Sequence, residues 1–149
     1  MKILAKNKKA YNEYHIIETL EAGIVLTGQE VKSIRTGKAN MLGSFVVLKG
    51  EKPQLLNTKI PAYQPKNAPS DYDESGTRNL LLTKREIRRL IGKSKQKSLT
   101  IVPLKMYTKK SKIKMEIAVV EHKSKKDKRE VIKKHDAEKD IRRELKTRG

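Results

Sequence analysis

Apolar and polar residues alternate most regularly near residue 115 of the sequence. Ile113, Met115, Ile117 and Val119 alternate with lysine and glutamate. A period of two predicts a strand with one buried face and one charged face. The apolar segment 98–107 precedes it across a short polar turn, so the two segments predict an antiparallel hairpin.

Residues 14–26 predict a second long strand, because they are rich in β-branched and aromatic types. Gly23 interrupts this segment. A glycine weakens a strand unless it forms a β-bulge or lets another part of the structure approach closely. We therefore expect either a bulge or a close neighbour at Gly23, with Glu21 projecting beside it.

Two segments predict short amphipathic helices, each opened by a capping box. Thr27 with Glu30 and Thr83 with Glu86 have the required spacing of three. The apolar positions that follow recur at helical spacing and predict one docked face on each helix. The remaining faces are basic and contain Lys32, Arg35, Lys38, Lys84, Arg85, Arg88 and Arg89.

The order of the elements favours a mainly β fold with short helices. Runs 45–48 and 54–60 predict a further hairpin, and 79–82 a brief strand. Strands that follow one another without regular helical crossovers argue against a parallel sheet. We predict an OB-fold-like antiparallel β-barrel. The proline-containing segment 61–78 has no period, and a loop of this length is usually functional or disordered.

The composition changes after His122. Residues 123–149 contain 12 Lys and Arg against 6 Asp and Glu, with few large apolar groups. Such a segment buries too little apolar surface to offset its ordering entropy. We therefore predict two parts: a barrel with two or three short helices over 1–122, and a basic tail over 123–149. The tail is expected to be disordered alone and helical on a partner.

The net charge points to a polyanionic partner. The 36 Lys and Arg outnumber the 17 Asp and Glu, which gives a formal charge of +19. Nucleic acid is the first candidate, and the six aromatic residues suit folded RNA better than a single strand bound by base stacking. No long apolar run, signal peptide or cysteine occurs, so we expect a cytoplasmic protein that does not bind membranes.

Residues suited to catalysis are sparse. The three histidines lie in separate segments, and the sequence has no glycine-rich phosphate loop. Asp71, Asp73 and Glu74 could ligate a magnesium ion in a nuclease, although closely spaced acids in a loop are ordinary turn residues. We expect no enzyme activity, no cofactor and no metal.

Four segments resemble the SmpB family of SsrA-binding proteins. They are EYHIIETLEAGIVLTGQEVKSIRTGKAN (13–40), RNLLLTKREIRRLIGK (78–93), LTIVPLKMYTKKSKIKMEIAVV (99–120) and DKRE (127–130). The resemblance is collinear over roughly residues 7–149. It implies an oligonucleotide-binding barrel with added helices that binds the tRNA-like domain of transfer-messenger RNA and escorts this RNA into stalled ribosomes, one copy of the protein per RNA.

The resemblance also implies which residues act, and it implies RNA contact at Tyr14, Glu21 and Leu81. We expect RNA contact at Gly23 and Lys114 as well, with Gly23 allowing close approach of the RNA backbone. The tail is expected to enter the decoding site and the empty mRNA channel of the ribosome and to become helical there. The tail residues expected to do so are Lys126, Asp127, Lys128, Arg129, Ile132, Lys133, Lys134, Ile141, Arg142 and Arg143. Residues 121–124 depart from the glycine-containing junction of the family.

Two other function classes stay open at this point. One is a structural ribosomal protein, which would be equally basic and tailed. The other is the metal-dependent nuclease built on the acidic loop. For the E-A-G segment, Glu21 could instead be the cross-strand partner of a lysine, with Gly23 a plain bulge.

Overall fold

The computed structural model describes residues 1–123 of the protein. Seven strands and three α-helices follow one another along the chain, with one 3-10 turn at Pro65–Asn67. The strands are β1 Lys2–Lys6, β2 Tyr14–Ile24, β3 Phe45–Lys49, β4 Lys52–Leu56, β5 Arg78–Leu81, β6 Leu99–Lys109 and β7 Lys112–His122. The helices are α1 Lys8–Glu13, α2 Gly28–Arg35 and α3 Lys84–Ser94.

All strand pairings are antiparallel and form one sheet in the order β1-β6-β3-β4-β5-β2-β7, with β7 also paired to β6. The pairings therefore run in a continuous circuit through six strands, and β1 extends the sheet beside β6. The prediction of a mainly β, antiparallel fold with short helices is confirmed. Sequence reasoning missed β1 and α1 at the N-terminus.

The sheet has apolar side chains on both faces. Ile113, Met115, Ile117 and Val119 of β7 belong to the main core, as their alternation predicted. Burial of a side chain of this size contributes about 1.5–3 kcal/mol. The opposite face of the sheet carries a second, smaller cluster of Ala10, Val102, Leu104, Ala118 and Val120, with Tyr11, Tyr14 and Phe45 packed against it. The charged outer face predicted for β7 is therefore confined to its first half.

Both predicted capping boxes are present. The Thr27 hydroxyl accepts from the Glu30 amide while the Glu30 carboxylate accepts from the Thr27 amide, and Thr83 and Glu86 make the same pair of bonds. These bonds satisfy amides at the start of each helix that have no partner within it.

The bulge in β2 lies at Ile17, because Ile16 faces Val120 while Glu18 faces Val119. Gly23 is in regular register with β7, and it also pairs with Leu81 of β5. A Cβ atom at Gly23 would lie 3.2 Å from the Cβ of Leu81, which is closer than such contacts normally come. Of the two predictions for Gly23, close approach is therefore observed, and its neighbour within the chain is Leu81.

Candidate nucleic-acid interface

A cleft of about 340 Å³ opens where β2, β5 and β7 meet. Three of the residues predicted to contact RNA line it: Gly23, Leu81 and Lys114. They come together because Gly23 pairs with both Leu81 and Lys114. The other lining residues are Ile24, Leu26, Val31, Arg35, Ser111, Lys112 and Ile113.

The cleft combines an apolar lining with a basic rim. Leu81 is 61% exposed, so it contributes an apolar surface to the cleft rather than to the core. Arg35 of α2 donates to the carbonyl of Ser111 at 3.2 Å, which connects the basic face of the helix to the β6–β7 turn. Lys112 and Lys114 add two further cations. Such a surface can contact phosphates and sugar or base edges together.

Glu21 lies on β2 two residues before Gly23 and takes part in a hydrogen-bonded cluster. The Tyr107 hydroxyl donates to its Oε2 at 2.5 Å. The Lys109 ammonium lies 3.3 Å from both of its oxygens. Glu116 is its register partner on β7, and the side chain of Glu116 pairs with Lys105 at 3.9 Å. The alternative reading of Glu21 as a lysine partner is thus partly observed, in its contact with Lys109.

The surroundings of Glu21 keep its carboxylate charged. The hydrogen bond from Tyr107 is the main cause that lowers the pKa of Glu21 below its usual value. Partial burial opposes this shift, and Lys109 and Lys114 reinforce it. Burial, followed by the bond to Glu21, raises the pKa of Tyr107. The pair is therefore a carboxylate that accepts and a phenol that stays protonated and donates.

Tyr107 is a residue that sequence reasoning missed. The residue is 4% exposed, and its backbone is in register with Ile3 of β1 and Lys114 of β7. The sequence did offer one indication. Tyr107 lies two positions from Lys105 and from Lys109, so it shares their face of the strand, where a charged residue would otherwise be expected. The antiparallel pairing of β6 with β7 and of β7 with β2 brings Tyr107 beside Glu21.

Tyr14 is placed apart from the other four predicted residues. It begins β2, and Gly23 lies nine positions further along the strand, roughly 30 Å. Its ring centroid lies 4.5 Å from that of His122. With Phe45, Asn7 and other residues, these two rings line a second cavity of about 340 Å³. The structure therefore brings together Glu21, Gly23, Leu81 and Lys114, and separates Tyr14 from them.

The acidic loop is organised by turn and ion-pair contacts. Asp73 accepts from the Ser75 amide at 3.0 Å, and Glu74 lies 3.6 Å from Lys59. Within residues 1–123, no group of three or more His, Asp or Glu side chains is arranged to hold a metal ion. The nuclease hypothesis therefore receives no support from this part of the chain.

The predicted tail residues, from Lys126 to Arg143, lie outside the described residues. The division of the chain at residue 122 likewise stays a prediction. Strand β7 continues to His122, and the Lys123 amide donates to the carbonyl of Glu13 at 3.0 Å. Over residues 1–123, no helix is both long enough and apolar enough to cross a membrane.

Comparison with known proteins decides the family. The family model described as SmpB protein matches residues 4–147. The chain belongs to the SmpB family. The SsrA-binding protein of Sulfurihydrogenibium sp. is 49% identical over 144 residues, which cover 97% of this chain and 91% of the relative. That of Thermosipho africanus is 48% identical over 147 residues, or 98% of each chain.

A solved structure agrees with the assignment to the SmpB family. It is described as "tmRNA-SmpB: a journey to the center of the bacterial ribosome" and matches with a TM-score of 0.68 and 40% identity, covering 86% of this chain and 93% of the compared chain. The family resemblance that the four sequence segments suggested is therefore confirmed.

Proposed function

We propose that this protein is an RNA-binding adaptor of bacterial trans-translation. It binds the tRNA-like domain of transfer-messenger RNA (SsrA) and delivers this RNA to stalled ribosomes. The proposal rests on membership of the SmpB family and on relatives named SsrA-binding proteins. It assigns the protein no catalytic step and no cofactor, and it places one protein on each RNA in the cytoplasm.

One observation carries the assignment of the RNA-binding surface. Gly23, Leu81 and Lys114, which come from three separate segments, line one cleft, and Glu21 lies beside it on β2, where the charge of Lys114 acts on its carboxylate. We assign this cleft to the RNA. Lysines and Arg35 at the rim would contact phosphates, and Leu81 would pack on a sugar or base. Glu21 would accept hydrogen bonds from base N–H groups or a 2′-hydroxyl. Lysine and arginine, which bind phosphates, can only donate.

Tyr14 would belong to a second contact region. It is separated from the cleft by most of the length of β2, so one compact RNA element would not reach both. We propose that it contacts a different part of the same RNA, since the tRNA-like domain is larger than either cavity.

For the tail we propose a separate role on the ribosome. The ten tail residues from Lys126 to Arg143 would occupy the decoding site and the empty mRNA channel and thereby license tagging and release. This division predicts that the two halves of the function can be lost independently.

Two variants test this division. Glu21→Ala should weaken binding to the tRNA-like domain, because one carboxylate contact is lost. A chain ending after Lys123 keeps β7 complete and should retain RNA binding but abolish tagging on stalled ribosomes. Equal loss of RNA affinity in both variants would contradict the proposal.

Sequencing the RNA that copurifies with the protein identifies the partner. One dominant small RNA with a tRNA-like end is expected. A structural ribosomal protein, the alternative raised by the charge, would instead copurify with ribosomal RNA and stay on subunits after a high-salt wash.

A further inference from the structure

We infer that Tyr107 is a positioning residue for RNA recognition, holding the Glu21 carboxylate in one orientation through the hydrogen bond from its hydroxyl. This inference rests on the proposed function of the cleft. It adds a residue to the site that is not itself expected to touch the RNA and that acts through Glu21.

Two residues donate to the Glu21 carboxylate, and they differ in burial: Tyr107 is buried and Lys109 is not. Tyr107 is almost fully buried, so packing of the residue restricts where its hydroxyl can lie, and the hydroxyl donates to Glu21 Oε2. Lys109 also reaches the carboxylate, but its side chain is about half exposed and contacts both oxygens equally at 3.3 Å. Tyr107 therefore defines the orientation of the carboxylate, and Lys109 supplies charge.

The bond leaves part of the carboxylate available to a ligand. A carboxylate offers about four lone-pair positions; Tyr107 occupies one on Oε2, and the Lys109 ammonium reaches both oxygens. The Glu21 side chain is 37% exposed, so the remaining positions can accept from a base N–H or a ribose hydroxyl. A glutamate already fixed in this way loses less rotamer entropy on binding.

A fixed carboxylate also provides discrimination. The charged groups that face Glu21 are Lys105 and Lys109 from β6 and Lys114 and Glu116 from β7. Lys109 already contacts both oxygens, and the bond from Tyr107 sets the orientation of this ion pair. In that orientation the remaining lone pairs accept from an RNA donor at one position and offer nothing to a phosphate there, which favours one RNA shape over others.

A double-mutant cycle tests the inference. Wild type, Tyr107→Phe, Glu21→Ala and the double variant are assayed against a tRNA-like transcript of transfer-messenger RNA and against an unrelated hairpin of equal length. Tyr107→Phe should weaken binding to the tRNA-like RNA about fivefold, the size of one hydrogen bond, and should leave binding to the hairpin unchanged. In the Glu21→Ala background, which has no acceptor for the Tyr107 hydroxyl, Tyr107→Phe should cause no further loss.

Tyr72→Phe is the matched control. Its hydroxyl donates to the backbone carbonyl of Ile60, also at 2.5 Å, and Ile60 is not part of the cleft. Tyr72→Phe should leave the affinity for RNA unchanged. If it weakens RNA binding as much as Tyr107→Phe does, general loss of packing accounts for the effect and the inference is overturned.

The other outcomes separate the inference from the proposed function. If wild type does not prefer the tRNA-like RNA, both fail. If Glu21→Ala weakens binding but Tyr107→Phe does not, or if the Tyr107→Phe loss persists beside Glu21→Ala, only the inference fails.

A titration of the wild-type Glu21 carboxyl carbon by NMR tests the bond without any variant. The pKa should lie below the ordinary value of 4.5, and an ordinary or raised value would overturn the inference.

Discussion

Arg78 and Glu30, which are 48 positions apart, form a buried ion pair with the guanidinium Nε 2.6 Å from Oε2. Their side chains are 5% and 10% exposed. Arg78 also donates to the carbonyls of Thr58, Gly76 and Glu74. The pair therefore fastens the first turn of α2 to β5 and to the end of the loop 61–78. Because α2 carries Val31 and Arg35, it also holds one side of the cleft.

Arg78→Met should destabilise the protein by about 3 kcal/mol or more. Removing one member of a buried pair leaves the other charge without a partner. Three backbone carbonyls also lose their donor. Urea unfolding measures the free energy change. Combining Arg78→Met with Glu30→Gln should cost less than the sum of the two single changes, because the second removes the charge that the first leaves unpaired.

The exposed pair of Lys59 and Glu74, at 3.6 Å, is the control. Glu74→Gln removes only the side-chain charge, and an exposed pair contributes about 0–1 kcal/mol. A loss of stability comparable to that of Arg78→Met would show that burial is not the cause.

Glu30 should make the stability of the protein depend on acid pH. Burial alone would raise the pKa of Glu30, but hydrogen bonds from Thr27 and Arg78 and the charge of Arg78 lower it below 4.5 overall. A carboxyl with a lowered folded-state pKa stabilises the fold above its unfolded pKa and loses this contribution as pH falls through its folded pKa. Unfolding free energies measured from pH 7 to pH 3 should therefore decline below about pH 4.5.

Glu30→Gln removes this titrating group. Its stability should be lower than that of wild type at pH 7 but should change less between pH 5 and pH 3. An unaltered slope would assign the acid sensitivity to other carboxyl groups, such as Glu21, whose pKa is also lowered.

Local patterns in the sequence predicted most of the fold. Two capping boxes set the first residues of α2 and α3, and the alternation of Ile113 to Val119 identified the core face of β7. These features depend on neighbours within a few residues. The short helix α1 lacked an apolar period, since Ala10 is its one buried residue, and β1 was missed with it.

Contacts between distant segments could not be predicted from local patterns. The ion pair of Glu30 with Arg78 could not be predicted, because nothing in the local sequence distinguishes Arg78 from the many other basic residues. The same holds for Tyr107 and Glu21, whose side chains meet across β7. For the site, the family resemblance selected residues in separate segments, and strand pairing placed Gly23, Leu81 and Lys114 at one cleft. The resemblance could not show that Tyr14 lies far from them.

Leu81→Ala should weaken binding to the tRNA-like RNA about fivefold while changing stability little. Its side chain is 61% exposed in the cleft, so truncation removes a surface for the ligand and little core packing. Filter binding or fluorescence anisotropy measures the affinity. Leu42 is equally exposed, at 59%, and is not among the residues that line the cleft. Leu42→Ala should therefore bind as wild type does, and similar losses in both variants would contradict the assignment.

Gly23→Ala should destabilise the protein by about 1 kcal/mol and also weaken RNA binding. The added methyl group would lie 3.2 Å from the Leu81 Cβ, so β5 must shift and the exposed part of Leu81 moves with it. Thermal unfolding and RNA titration are the two measurements.

At Gly92, within α3, an added Cβ meets nothing within 4 Å, and alanine favours helix by about 1 kcal/mol over glycine. Gly92→Ala should therefore be stabilising, which separates a crowded glycine from an uncrowded one.

Ser111→Gly should stabilise the protein by about 0.5–1 kcal/mol, through relief of a left-handed backbone. Lys110 and Ser111 form the two-residue turn between β6 and β7, with φ angles of 48° and 66°. Residues other than glycine, asparagine and aspartate are disfavoured there. The Ser111 carbonyl, which accepts from Arg35, is kept in the variant, so the contact between α2 and the turn is preserved. Differential scanning calorimetry measures the shift in melting temperature.

Ser75→Gly is the control, because the φ angle of Ser75 is not positive. This variant should be neutral or destabilising. Stabilisation of the same size in both variants would rule out backbone strain at Ser111 as the cause.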